Sequence, residues 1–79
     1  MVPFSVLESA ARRASALRSV ASEISDLYCD VVYQTERLEK QRKEGWSEEG
    51  LALTRLALSE ALAALGKATE RLARMTRVL

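Results

Sequence analysis

The sequence predicts an all-α protein, a two-helix antiparallel hairpin in coiled-coil style that completes a bundle with partner chains. Three observations carry this. Apolar residues recur at alternating spacings of three and four in both halves of the chain, a Gly-Trp-Ser stop-and-start signal separates the halves at residues 45–47, and no Gly or Pro interrupts residues 4–44. Composition agrees. With 48% hydrophobic and 29% charged residues, three Gly and one Pro, the chain is neither disordered nor loop-rich, and its wealth of Ala, Leu, Arg and Glu favours helix over strand.

The first helix is read over residues 5–44. Ser5 can cap it while Glu8 reaches back in a capping box, and a stripe then runs through Leu7, Ala10, Ala14, Leu17, Ala21, Ile24, Tyr28, Val31, Thr35 and Leu38. Arg42 and Lys43 suit the negative end of the helix dipole, and Gly45 is free to take the left-handed cap. The turn occupies residues 45–47. Ser47 is a good N-cap for a second helix over residues 48–78, Glu48 and Glu49 oppose its positive end, and Trp46 can staple onto Leu51. A link this short makes the two helices antiparallel neighbours, so residues 1–79 form a single hairpin.

The second helix carries leucine at every seventh position, Leu51, Leu58, Leu65, Leu72 and Leu79, with Thr54, Ala61, Ala68 and Met75 three residues after the first four. These define its seam. Reflection about the turn sets Tyr28, Ile24, Ala21 and Leu17 opposite, with close backbone approach expected near Ala21 and Ala68. The short turn argues against a parallel zipper between identical helices.

One seam cannot use all the apolar surface, because eleven of the fifteen residues from Leu51 to Leu65 are apolar. Leu53, Leu56, Ala57 and Ala64 are placed on a second face of helix 2, Val6, Val20 and Leu27 widen the stripe of helix 1, and Phe4 and Leu7 fall where helix 1 overhangs. These residues form the candidate partner-binding surface. Two coverings are open, a homodimeric four-helix bundle or a groove on a different protein. Chain size points the same way: 79 residues bury little core, and one cysteine with no histidine leaves association as the remaining source of stability.

Other functions find little support in the residues. The absence of histidine, of a glycine-rich phosphate loop and of a nucleophile beside a base argues against an enzyme, a bound metal or cofactor, and a small-molecule substrate. Asp26 and Asp30 stand one turn apart but lack the Glu-x-x-His motif of carboxylate-bridged metal bundles, and Cys29 is expected half-buried, one position off the seam. The net charge is +1, yet residues 1–20 and 66–79 hold seven basic and two acidic residues, against five and nine in the remainder. That basic end, with Arg12, Arg13, Arg18, Lys67, Arg71, Arg74 and Arg77, could meet phosphates, but no aromatic is interleaved for stacking, so a solvated face is expected rather than nucleic-acid binding. The early arginines and serines have the flavour of a transit peptide, which the first turns of a long helix explain equally well. No stretch reaches the roughly 20 apolar residues a membrane helix needs, and a soluble, cytoplasmic protein is expected.

The segment Leu38, Lys43-Glu44-Gly45-Trp46-Ser47-Glu48-Glu49, Leu51, followed by Leu58, Ala61, Leu65 and Ala68, resembles the small needle co-chaperones of type III secretion, the YscE/PscE family. About half the chain is covered, and Leu51 replaces what is often an aromatic in that family. The resemblance implies a bacterial cytoplasmic chaperone subunit that joins a helical-repeat partner chaperone and keeps the needle subunit from polymerising early. A competing resemblance is to the secreted WXG100 hairpins, which place a Trp at the turn, although Trp46-Ser47-Glu48 has Glu where their Gly stands. The small subunit of exodeoxyribonuclease VII has a similar Leu-Glu…Ser-x-Glu-Glu…Leu flavour, of which this chain keeps Ser47-Glu48-Glu49 ahead of Leu51, and its first helix is shorter.

Overall fold

The computed structural model describes residues 2–77, which form two helices, α1 (Phe4–Lys43) and α2 (Glu48–Arg77). Packed antiparallel, they make a rod of 67 × 15 × 13 Å. The hairpin reading is correct. Val78 and Leu79, expected to end helix 2 and its leucine repeat, lie outside the described residues.

The start of α1 differs from the sequence reading. Pro3 is the N-cap, its carbonyl accepting from the Val6 and Leu7 amides at 3.1 and 3.3 Å, and no side chain caps the helix. The ring fixes φ at −59°, already suited to helix entry, so the helix begins one residue early. Ser5 and Glu8 therefore form no capping box.

The turn follows the sequence closely. Gly45 takes φ +77°, the Trp46 amide donates to the Gln41 carbonyl at 3.0 Å, and the Gly45 amide donates to Arg42 at 3.1 Å. This pair of bonds is the Schellman motif, which satisfies the carbonyls left open at a helix end. Ser47 then caps α2, its Oγ accepting from the Gly50 amide at 3.3 Å and its carbonyl from Leu51 at 3.0 Å. The Trp46 ring lies over Gly50, so that a Cβ there would stand 2.8 Å from Cε3 of the ring. Glycine at the third helical position is what lets the indole lie flat against the first turn, and Trp46 Nε1 donates to Glu44 Oε2 at 3.2 Å.

The seam of α2 uses the predicted positions: Leu51, Thr54, Ala61 and Ala68 are buried, with Leu58, Leu65, Leu72 and Met75 half-buried between them. On α1 the seam is turned by one residue from the expected stripe. Leu17, Ile24, Val31 and Leu38 hold their places, but their companions are Val20, Leu27, Gln34 and Gln41, while Ala21, Tyr28 and Thr35 face outward. The choice buries Val20, half-buries Leu27 and leaves Tyr28 exposed, at the cost of taking two glutamines inward. Gln41 is matched, accepting from Thr54 Oγ1 at 2.7 Å in a buried polar layer. Gln34 is matched only in part: its Nε2 reaches Asp30 Oδ1 at 3.4 Å while its buried Oε1 has no partner.

Two contacts fix the register, Gln41 to Thr54 near the turn and Glu23 to Arg71 at 3.1 Å towards the open end. Carried along the seam, it sets Leu38 beside Leu58, Val31 beside Leu65 and Leu27 opposite Ala68. Ala68 is fully buried, so close approach does occur there, against Leu27 rather than Ala21. The same register brings Arg77 level with Arg18. Beyond that level α1 overhangs the described part of α2 by about 14 residues, roughly 21 Å.

Three outcomes test these local interactions. Gly45→Ala must hold a β-carbon in the left-handed region and should lose about 1–2 kcal/mol in urea denaturation. Thr54→Val should lose about 1–3 kcal/mol by orphaning Gln41, and Gln41→Leu added to it should recover most of the loss. Gly50→Ala should push the indole off the first turn, seen as a red shift in the emission of Trp46, the chain's single tryptophan.

Candidate interaction surfaces

Because the two helices touch along one seam only, each keeps most of its circumference open. Among the described residues no large side chain is fully enclosed, and even the seam leucines Leu58, Leu65 and Leu72 are only half-buried. The hairpin has a contact line rather than a core.

The heptad positions beside the seam divide the rod into two flanks. In an antiparallel pair, residues just before the first seam position on each helix share one flank, and residues just after the second share the other. The Glu23–Arg71 ion pair marks the first flank, which also carries Asp30, Arg37 and the Trp46 ring. Both charges of that pair are about half-exposed, so it contributes less than about 1 kcal/mol. A cleft of about 380 Å³ opens beside Trp46, lined by Tyr33, Glu36, Arg37, Lys40, Gln41 and Glu44, and a shallower depression of about 660 Å³ lies between Ser15 and Leu27.

The residues selected from sequence separate into three groups. Leu53 and Leu56 are free, at 72% and 57% exposure, on the outer side of α2 one turn apart, and Phe4 and Leu7 are free on the overhang at 74% and 55%. Ala57 and Ala64 are half-buried, because they border the seam on the flank of Arg71 and their small side chains tuck beneath α1. Val20 and Leu27 belong to a different surface altogether. Val20 is 7% exposed and Leu27 half-buried inside the hairpin, since the one-residue turn of the α1 seam brings both onto the line facing α2. They are corrected from docking residues to packing residues.

The opposite correction applies to one residue the sequence reading kept inside, and a second exposed residue escapes that reading. Tyr28, assigned to the seam, is 60% exposed, and Leu62, assigned nowhere, is 50% exposed. Both lie on the second flank, together with Val32. Placing Leu62 one step after seam residue Ala61 was the available signal. Cys29 is exposed rather than half-buried, again because the seam runs through Leu27 and Val31.

The basic residues of the open end are dispersed around the rod. Arg71 and Arg74 are engaged by Glu23 and Glu70, at 3.1 and 3.6 Å, and Arg12, Arg13 and Arg18 are spread over the overhang and its base. No described helix is long and apolar enough to cross a membrane. Among the described residues no three His, Cys, Asp or Glu side chains come together as a metal site. No family model, curated protein or solved structure matches the chain, so the family resemblances rest on the residues quoted for them.

Proposed function

We propose that this chain is a non-catalytic protein–protein interaction module that completes its helical bundle with another protein. One observation carries the reading: Leu53 and Leu56 stand more than half open to water on the outer side of α2, where neither α1 nor the turn can reach them. Two leucines one turn apart have the i, i+3 spacing of the anchors that lay a helix into an apolar groove. Phe4 and Leu7, on the part of α1 that extends past α2, supply a second anchor of the same chemistry. The open apolar side chains give the module a thermodynamic reason to bind, because burying apolar surface stabilises by about 25 cal/mol per Å².

The more specific form of this proposal is a small chaperone or adaptor subunit of the type III needle co-chaperone kind. Its support is the Gly45-Trp46-Ser47-Glu48-Glu49 turn and the leucine register that follows. In this form the Leu53–Leu56 side docks a helical-repeat chaperone, and the complex keeps a needle subunit monomeric in the cytoplasm.

Co-expression with a type III needle subunit and a helical-repeat partner chaperone is the direct test. Wild-type chain should co-purify as a stable complex. Leu56→Glu should abolish that complex while circular dichroism stays helical, since the position bears on no internal packing. A Leu56→Glu chain that co-purifies like wild type would remove this surface from the interaction, and a wild-type chain that binds neither protein would end the needle reading.

A further inference from the structure

The second flank of the rod has a character that neither the fold nor the Leu53–Leu56 surface explains. From Ala21 to Thr35 on α1 and from Ser59 to Thr76 on α2, every residue on it is uncharged, although 29% of the chain is charged. Tyr28, Val32 and Leu62 project from it, all exposed. Its three threonines turn their hydroxyls back onto their own helices, Thr35 to Val31, Thr69 to Gly66 and Thr76 to Ala73, at 2.8–2.9 Å. Their hydrogen bonds are thereby made internally.

Gly66 sits in the middle of this flank. A glycine inside a helix costs about 1 kcal/mol relative to alanine. Nothing among the described residues requires it, because a Cβ built there meets no atom within 4 Å and its backbone is ordinary helix. A close neighbour from outside would account for it, and the register brings Tyr28 level with it across the seam. Knob and notch therefore lie on one patch, the condition for a surface that packs on a copy of itself.

Charge selects the orientation. The open end holds seven basic and two acidic residues and the rest of the chain five and nine, so two parallel rods would set like charge on like. An inverted copy sets the basic end against the acidic remainder. A two-fold axis at the level of Tyr28 also brings Arg18 of one copy level with Glu39 of the other, both at the border of the same flank.

We infer that the flank of Tyr28, Leu62 and Gly66 is a homodimer interface, on which a second copy lies antiparallel, α1 on α1 and α2 on α2, in a four-helix bundle. This goes beyond the docking of another protein and leaves the Leu53–Leu56 side free for it. Sedimentation of the full chain at micromolar to submillimolar concentration should show a dimer. Gly66→Leu should sediment as a helical monomer, although leucine is the better helix former. Arg18→Glu should weaken the dimer, and Arg18→Glu with Glu39→Arg should restore it. Spin labels at Arg12→Cys, with Cys29→Ser, should lie about 50 Å apart in the inverted dimer, against about 20 Å in a parallel one. A monomeric wild type, a Gly66→Leu chain that remains dimeric, a second charge reversal that fails to rescue, or the short label distance would each overturn the proposal. Leu56→Glu should stay dimeric, so loss of partner binding and loss of self-association are separately readable.

Discussion

The feature on which the rest of the molecule depends is the cap-to-cap turn between Gln41 and Leu51. Its two ends are both closed by hydrogen bonds, the Schellman pair on α1 and the Ser47 cap on α2, so the chain reverses within four residues with almost no slack. That fixes which residues can meet. Gln41 and Thr54 become the first buried layer, and every later layer is dictated by counting outward from them. A looser link would permit several registers, because a leucine every seventh residue fits a sliding partner at each heptad.

A single line of contact is all that a hairpin can offer, and the sequence treats the remaining surface unequally. One flank is dressed for water, with the Glu23–Arg71 pair, Asp30, Arg37 and the half-exposed indole. The other is free of charge from Ala21 to Thr35 and from Ser59 to Thr76, and the outer side of α2 carries two open leucines. The seam itself is deliberately modest: two of its α1 positions are glutamine, and only the one nearer the turn is fully matched. A rod built this way holds its shape through helix propensity, capping and the turn, with little apolar burial of its own.

Much of this architecture is legible in the sequence because it is written in local chemistry. Gly45, Ser47 and the α2 leucines mean the same thing in any context, so the turn and the second seam can be read from residue type and spacing. The α1 seam is different. Its stripe admits two phases, Ala21–Tyr28–Thr35 or Val20–Leu27–Gln34, and hydrophobic periodicity does not choose between three-then-four and four-then-three spacing. The structure resolves the choice by burying branched aliphatics and exposing a phenol, which moved Val20 and Leu27 inward and Tyr28 outward. The Ser5 cap was misread for a related reason: proline, whose geometry is already helical, outcompeted a side-chain hydrogen bond. Of the candidate docking residues, those on the outer side of α2 and on the overhang were visible as unexplained hydrophobes. The charge-free flank was not, because it appears only once the phase of α1 is known.

The asymmetry of the two ends also shapes how the rod comes apart. Contacts next to the reversal join residues close in sequence and close cheaply, whereas those near Leu17 and Met75 must bridge more than fifty residues. Loop-closure entropy therefore favours the contacts next to Trp46 over those at the opposite tip. Phe4 and Leu7 are thus presented on the segment with the least support beneath it, a tether whose helical order a bound neighbour would strengthen first.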